Sequence, residues 1–299
     1  MIQQESLREK KKRKRIGTVI FRFLKQNPLA LFGSVVILIT ILTSILVPVL
    51  PIQDPLHQNL PNRLKPPSAD HLFGTDNYGR DVFSRVIWGG RVSLLVGIFS
   101  VVIGSLIGVT MGVISGYFGR YVDAGIMRIT DILLSFPALL LAMAICSAIG
   151  SSLWNVVVAI SIVTVPRFSR LVRGSTLSVK EADFLEAARA LGQNKTKIIF
   201  FHILPNISSP ILVLATLWIP AAIITEASLS FLGLGVMPPT PTWGNIINEG
   251  KSYLQNAPWI SIFSGIIIVL VVMAFNFVGD AVRDAFDPRL KGEREVGRG

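Results

Sequence analysis

The sequence predicts an all-α integral membrane protein with six transmembrane helices. Hydrophobic residues make up 51% of the 299 residues and charged residues only 16%, whereas soluble domains usually carry about 25% charged residues. Long runs without a charged residue recur, and a helix needs roughly 20 apolar residues to cross the hydrocarbon core of a bilayer. The segments between these runs are too short for a separate soluble domain of about 100 residues. We therefore expect one membrane domain over residues 29–280, between a basic segment at 1–28 and a tail at 281–299.

Uncharged runs define the first two spans. Residues 29–50 supply the first span, and residues 92–119 supply the second. The basic run at 10–15 (KKKRKR) resembles the start of a signal peptide, but the apolar stretch that follows it is too long and no A-x-A cleavage pattern appears. We therefore predict that the N-terminal region is an uncleaved membrane anchor.

The third and fourth spans are predicted to form a tight hairpin. Residues 132–166 carry no charge, and these 35 residues are too many for one span. A Gly-Ser-Ser turn signal at 150–152 divides the run into spans at 132–149 and 153–168. Pro137 lies inside the third span and predicts a kink there.

The fifth span is predicted at residues 210–232, and the sixth lies within 252–279. Glu226 is the one carboxylate well inside a predicted span. Because exposing an ionised group to lipid costs roughly 2.5–3.5 kcal/mol, Glu226 is expected to face the interior of the bundle. A structural or gating role is favoured there over contact with a ligand. Asn276 in the sixth span is its predicted partner.

The distribution of basic residues predicts which side each loop occupies. Six spans place both termini on the same side, and with that side cytoplasmic, 23 of the 29 lysines and arginines lie inside, as the positive-inside rule requires. The external loop then covers residues 51–91, and the longest cytoplasmic loop covers 169–209. The basic residues flank the spans and do not form one face with interleaved aromatics. This pattern argues against nucleic-acid binding despite the net charge of +11.

The cytoplasmic loop is predicted to contain two short helices. In the first, at residues 181–191, Phe184, Ala188 and Leu191 fall on one apolar face. Gly192 is placed to end this helix with a positive φ, which a side chain would oppose. The pattern therefore predicts a sharp corner after the first helix.

The second helix of the loop is predicted at residues 195–204, capped by Asn194 and ended by Pro205. The small side chains of Ala187 and Ala188 would allow another protein to approach closely. The periodicity is equally compatible with an amphipathic hairpin that only lies on the lipid surface. Both interpretations, a partner-binding loop and a lipid-lying hairpin, remain open on these residues alone.

Four blocks of the sequence resemble ABC importer permeases, and more narrowly their DppC/OppC-like members for peptides and nickel. One block, at 186–206, resembles the EAA loop of such permeases, with EAARALG followed by IIFFHILPN. The other three blocks are HLFGTDNYGRDVFSRVIWGGRVSL (71–94), EASLSFLGLGVMPPTPTWG (226–244) and NFVGDAVRDAFDPRL (276–290). The resemblance covers nearly the whole chain from Leu29, and the basic tail before Gln26 has no equivalent in it.

The resemblance implies one permease subunit of an ATP-driven importer in a bacterial or archaeal cell membrane. Its implied partners are a DppB-like permease, two cytoplasmic ATPase subunits and an extracytoplasmic solute-binding protein. Small peptides are the implied cargo, with a nickel chelate or glutathione as alternatives. A secondary transporter is the competing class, but it would need more spans or a paired inverted repeat, and neither is visible in the sequence. A structural membrane anchor for a cytoplasmic enzyme is a third interpretation.

The resemblance also assigns a coupling role to the EAA loop. The loop is implied to sit in a groove of an ATPase subunit, with Ala188 on the face that meets the groove. The residues implied in this contact are Glu186, Ala187, Ala188, Gly192, Leu204 and Pro205. ATP and magnesium would bind to the ATPase subunits, so this chain is expected to hold no cofactor, no metal and no catalytic residue. Its nearest approach to a phosphate-binding loop, at 244–252 (GNIINEGKS), has five residues between the glycines where that motif needs four.

The external loop carries a charged group just before the second span. Its members are Asp76, Arg80, Asp81 and Arg85. Ion pairs and capping of a helix are the commoner explanation for such a group. A docking surface for the solute-binding protein is the functional alternative.

Overall fold

The structure, a computed structural model, describes residues 27–286. Over these residues the chain is helical apart from its loops, and the only β pairing is an isolated bridge between Thr75 and Asp81. The prediction of an all-α protein is therefore confirmed. The basic run at 10–15 and most of the tail at 281–299 lie outside the described residues.

The helices follow one another with short connections, apart from the long loop before the second span. In chain order the α-helices of residues 27–286 are α1 (Pro28–Leu46), α2 (Val82–Phe118), α3 (Arg120–Ser135), α4 (Ala138–Ile149), α5 (Leu153–Lys180), α6 (Asp183–Ala190), α7 (Lys195–Ile198), α8 (Leu204–Phe231), α9 (Trp243–Gly250) and α10 (Trp259–Phe286). Turns of 3₁₀-helix occupy Val47–Val49, Leu60–Asn62 and Lys251–Tyr253, and a π-helix occupies Ile199–Ile203.

Five helical stretches of the described chain are long and apolar enough to cross a membrane. They are α1, α2, α5, the continuous stretch Lys195–Phe231, and α10. The bent pair of α3 and α4 brings the number to six if it counts as one span. This number agrees with the six spans predicted from hydropathy.

The third span differs from the continuous helix predicted at 132–149. Helix α3 ends at Ser135, α4 begins at Ala138, and the two helices meet at 93°. Pro137 has no N–H to bond the carbonyl four residues earlier, and it drives Phe136 out of the α region to φ −93°, ψ 138°. The proline therefore breaks this span, where a kink had been predicted.

Several helices extend past the charge-free runs that predicted them. Helix α2 begins at Val82, well before residue 92, because the Asp81 carboxylate accepts a hydrogen bond from the Ser84 N–H and caps the helix. Helix α5 continues to Lys180, beyond the predicted end of its span. Helix α10 begins inside the run 252–279 that contains the predicted sixth span, and it continues past the end of that run to Phe286. A charged residue marks the edge of the hydrocarbon, whereas a helix can continue into water.

Helices α2 and α5 pack closely along a stripe of glycines. The stripe consists of Gly104, Gly108, Gly112 and Gly116. A Cβ on any of them would lie between 2.6 and 2.9 Å from an atom of α5, so only glycine allows this approach. The contacted residues advance along α5 from Ser161 to Thr176 as the glycines advance along α2, and the two helices therefore run in the same direction. Close backbone packing of this kind stabilises helix pairs in lipid, where burial of apolar surface adds little.

Helix α5 forms the centre of the bundle. Val157 and Phe168 are fully buried there, in a core shared with α2, α4 and α8. Two ion pairs hold α3 against α5. Arg173 donates two hydrogen bonds, of 2.5 and 2.6 Å, to Asp123, and one turn away the Arg170–Asp131 pair is 2.6 Å long.

Candidate functional site

The loop between α5 and α8 turns a sharp corner at Gly192. Gly192 has φ +73°, which confirms the predicted positive value. Its N–H donates to the Arg189 carbonyl at 2.9 Å, and the N–H of Gln193 donates to the Ala188 carbonyl at 3.1 Å. These bonds satisfy the last carbonyls of α6. The Asn194 side chain accepts from the Thr196 N–H at 3.3 Å and caps the next helix, as predicted.

The face of α6 that packs on the rest of the chain includes Ala188, which the sequence analysis expected to meet a partner. Leu185 is fully buried and Ala188 is 4% exposed. Leu185 packs in a cluster with residues of α2, α5 and the stretch after the corner: Val113, Val172, Ile198, Ile203 and Ile207. The expectation that Ala188 meets a partner's groove is therefore wrong, because its side chain is already covered by this chain. A larger residue there would disturb the fold of the loop itself.

Two residues of the predicted face, Phe184 and Leu191, are open. Phe184 is 46% exposed and Leu191 is 80% exposed, and Ala187 lies between them on the same side of α6, three residues after Phe184 and four before Leu191. Glu186 is exposed beside this row. The free surface of α6 thus combines apolar side chains with the charged side chains of Asp183, Glu186 and Arg189, a composition that suits a protein partner.

The prediction that Pro205 ends the second helix is also wrong. Helix α7 passes into the π-helix Ile199–Ile203 and then into α8, so that Lys195–Phe231 is one continuous helical stretch. The N–H of Leu204 donates to the Ile199 carbonyl across the wide π turn, and Pro205 falls in the first turn of α8, where a missing N–H is tolerated. The loop is therefore rigidly joined to the fifth span.

The loop lies at the C-terminal end of α2, and the charged group of the predicted external loop lies at the opposite end. Asp76 accepts hydrogen bonds of 2.6 Å from both Arg80 Nε and Arg85 Nη1. Glu249, at the end of α9, accepts bonds of 2.6 and 2.7 Å from the same two arginines. Glu249 lies 164 positions after Arg85, and the sequence offered no sign of this pairing.

The fourth member of the predicted group, Asp81, has a separate role. It caps α2, and one of its oxygens lies 3.0 Å from Nδ1 of His71. The predicted explanation by ion pairs and capping is therefore confirmed. Asp76, Arg80, Asp81 and Arg85 are each at most 6% exposed, so these side chains are not available as a docking surface. The segment at 244–252, whose sequence partly resembles a phosphate-binding loop, is helical and consists of α9 and a following 3₁₀ turn.

Glu226 is fully buried in α8 and joins three elements. It accepts hydrogen bonds from Ser230 Oγ of the same helix at 2.7 Å and from Ser93 Oγ of α2 at 2.9 Å. Ser93 Oγ in turn accepts from the N–H of Trp243, the first residue of α9, at 3.3 Å. Asn276, the predicted partner, is exposed on α10 and makes no hydrogen bond to Glu226. Both partners are serines, whose short hydroxyl side chains fit between the packed helices.

Comparison with known families shows the family to which this chain belongs. A family model described as "Binding-protein-dependent transport system inner membrane component" matches residues 108–292, which is more than half of the chain. The chain belongs to this family. A second model, described as "N-terminal TM domain of oligopeptide transport permease C", matches residues 17–67. The basic segment therefore has a counterpart from residue 17 onward, contrary to the sequence-based expectation.

Similar members of the inner membrane component family have assigned cargoes. The chain is 48% identical over 271 residues to the dipeptide transport system permease protein DppC of Alkalihalophilus pseudofirmus, covering 91% of this chain and 89% of the relative. It is 50% identical over 225 residues to the glutathione transport system permease protein GsiD of Pectobacterium atrosepticum, covering 75% of each chain. It is 42% identical over 261 residues to a putative peptide transport system permease protein of Brucella suis, covering 87% of this chain and 88% of the relative.

Solved structures support the same fold. The MetNI methionine ABC transporter, in inward-facing conformations, is similar with a TM-score of 0.55 at 19% identity, over 68% of this chain and 97% of that chain. An amino acid ABC transporter with histidines is similar with a TM-score of 0.52 at 16% identity, over 66% and 92%. The family match at 108–292 includes the α6–α8 loop and Glu226. The Asp76–Arg85 group lies before that segment.

Proposed function

We propose that this chain is a permease subunit of an ATP-driven ABC importer that moves short peptides from a solute-binding protein into the cytoplasm. The observation that carries the cargo is the 48% identity, over 91% of this chain, to a dipeptide permease. A DppB-like permease completes the membrane pathway in this proposal. Two ATPase subunits bind ATP and magnesium, and this chain has no catalytic residue and no cofactor of its own.

The α6–α8 loop is the proposed contact with an ATPase subunit. Its exposed row of Phe184, Ala187 and Leu191 gives a partner an apolar surface to cover. Gly192, Leu204 and Pro205 shape the loop behind that row. Because Lys195–Phe231 is one helical stretch, a displacement of the loop by the ATPase would be transmitted directly to the fifth span.

The proposed orientation places both termini and this loop in the cytoplasm. The supporting observation is the charge distribution, with 23 of 29 basic residues on that side. The Asp76–Glu249 cluster then lies outside, where it holds the long external loop against α9.

Glutathione is the second candidate cargo, and the identity of 50% to a glutathione permease favours it over a nickel chelate. That match covers 75% of this chain, against 91% for the dipeptide permease. Both cargoes are short, carboxylate-bearing peptides, so the same pathway chemistry would serve either.

Reconstitution tests the proposal. The chain is co-expressed with a DppB-like permease, two ATPase subunits and a solute-binding protein, and the purified complex is placed in proteoliposomes. Labelled dipeptide should accumulate only when ATP and the binding protein are present. A complex with an inactive ATPase subunit serves as the control. Accumulation of glutathione but not dipeptide would reassign the cargo, and assembly without any ATPase subunit would refute the importer.

A further inference from the structure

A cavity opens at the break between α3 and α4. Its volume is about 360 Å³, and it is lined by the chain from Leu133 to Ala138 together with Leu141, Val163 and Arg167. Arg167 is the only charged residue in this lining. The volume falls in the range of small-molecule pockets, about 300–1,000 Å³.

The cavity lies toward the predicted cytoplasmic end of the membrane-spanning part of the bundle. Helix α4 separates it from the hairpin turn at Gly150 by 12 residues, which corresponds to about 18 Å of helix. Measured from Leu153, the first residue of α5, Arg167 lies about 21 Å along the axis. Both distances fall within a hydrocarbon core that is about 30 Å thick.

The end of α3 leaves carbonyl groups at the cavity without helical partners. The N–H that would bond the Leu133 carbonyl belongs to position 137, which is proline. Within the described residues, no hydrogen bond from outside α3 reaches the carbonyls of Leu133, Leu134 or Ser135. Non-helical backbone at membrane depth is tolerated only inside protein or beside water. The cavity is therefore a place where water or a polar solute fits better than lipid.

Arg167 is a cation without a carboxylate partner in residues 27–286. The next two arginines of α5, Arg170 and Arg173, are each paired with an aspartate of α3. The guanidinium of Arg167 instead lies over the ring of Trp218 in α8, 4.4 Å from its centre. Stacking holds one face of the guanidinium and leaves its in-plane N–H groups free to donate.

We propose that this cavity is a water-filled binding site on the transport path, where Arg167 binds the C-terminal carboxylate of a peptide during transport. The free carbonyls at the end of α3 accept hydrogen bonds from the N–H groups of the same peptide. A peptide matches both halves of the site, because a guanidinium binds carboxylates in a forked geometry and a helix C-terminus attracts donors. The inference rests on the proposed peptide cargo.

Thiol protection in the assembled, nucleotide-free complex tests the site without the binding protein. Ser135 is exposed and lines the cavity, and Ser135→Cys changes one atom. With Cys146→Ala removing the native thiol, a charged thiol reagent should modify this cysteine. A dipeptide should slow the modification, and its C-terminal amide should be weaker by about tenfold, the loss expected for one charge-assisted hydrogen-bonded pair. Adding Arg167→Gln should abolish the difference between dipeptide and amide.

Matched controls separate this role from others. Arg170→Gln removes a cation one turn away, outside the cavity lining, and should leave protection by the dipeptide unchanged. Arg167→Lys should restore part of the preference for the carboxylate. Failure of the reagent to modify Ser135→Cys, or equal protection by dipeptide and amide in the parent complex, would overturn the proposal. Protection by anionic lipid in place of peptide would overturn it too and would make Arg167 a headgroup contact.

Import of labelled dipeptide by the parent complex is measured in parallel. Import without protection at Ser135→Cys refutes the site and leaves the proposed function standing. Absence of dipeptide import, with the reagent still modifying the cavity, refutes the peptide cargo. The two failures are therefore distinguishable.

Discussion

The ion cluster at the start of α2 allows a prediction with a defined magnitude. The cluster contains two guanidinium groups, Arg80 and Arg85, and two carboxylates, Asp76 and Glu249, so its formal charge is zero. Asp76 is fully buried and Arg85 is 1% exposed. Asp76→Asn keeps the size of the side chain and removes one of the two negative charges. One buried guanidinium is then left without a compensating charge.

The expected loss of folding free energy follows from this imbalance. Removing one partner of a buried ion pair typically costs about 3–5 kcal/mol, because the remaining charge stays buried. Glu249 still contacts both arginines in the variant, and its side chain is 21% exposed. Water therefore relieves part of the imbalance, and we expect the lower end of the range, about 3 kcal/mol.

Two further variants decide whether charge balance is the cause. Asp76→Asn combined with Arg85→Met leaves Arg80 paired with Glu249 and restores neutrality, so it should be more stable than the single variant. The exposed pair Asp131–Arg170, with both side chains 54% exposed, provides the matched control. Asp131→Asn should cost at most about 1 kcal/mol.

The free energy of unfolding is measured on the detergent-purified protein by denaturant titration, with the thermal midpoint as a second observable. The reasoning is refuted if Asp76→Asn is as stable as the parent protein. It is also refuted if the double variant is no more stable than the single one.

Four other predictions concern the loop, the buried carboxylate and the topology. Gly192→Asp forces a side chain onto φ +73°, so import should fall while the permeases remain assembled; unchanged import and unchanged retention of the ATPase would exclude a coupling role. Phe184→Ala should weaken ATPase retention on a size-exclusion column without lowering the thermal midpoint, because this side chain is 46% exposed. Glu226→Ala leaves two buried serine hydroxyls without their acceptor and should cost about 1–3 kcal/mol, lowering import of every cargo alike; an altered cargo preference at normal stability would contradict this. A cysteine at Gln58 should react with an impermeant thiol reagent added outside intact cells and one at Lys197 should not, and the reverse pattern would invert the proposed orientation.

Much of the α6–α8 loop could be predicted locally. A positive φ favours glycine, and an amide oxygen next to the first free N–H groups caps a helix; both effects act within a few residues. Gly192 and Asn194 therefore behave as their neighbours in the chain imply. Pro205 does not end its helix, because the π turn before it places Pro205 in the first turn of α8, where the missing N–H is tolerated. Such a π turn has no clear sequence signal.

The buried face of α6 could not be predicted from its periodicity. Phe184, Leu185, Ala188 and Leu191 all lie near one apolar side, and a helical wheel cannot say which of them this chain covers. Packing against Val113 and Val172 decides this for Leu185. The same limit applies to Glu226. It accepts a hydrogen bond from Ser93 only because α2 passes beside α8.

The sequence by itself determined that the chain is all-α, that it carries enough apolar runs for six spans, and that a glycine corner separates two helices in its longest predicted internal loop. These features follow from transfer of side chains into lipid and from local backbone geometry, which depend on residues close in the chain. Only the tertiary structure decided that Glu249 neutralises Arg85, that Ala188 is covered, and that Pro137 opens a cavity onto Arg167. Those facts depend on how helices pack, and packing brings together residues whose separation along the chain leaves no pattern to read.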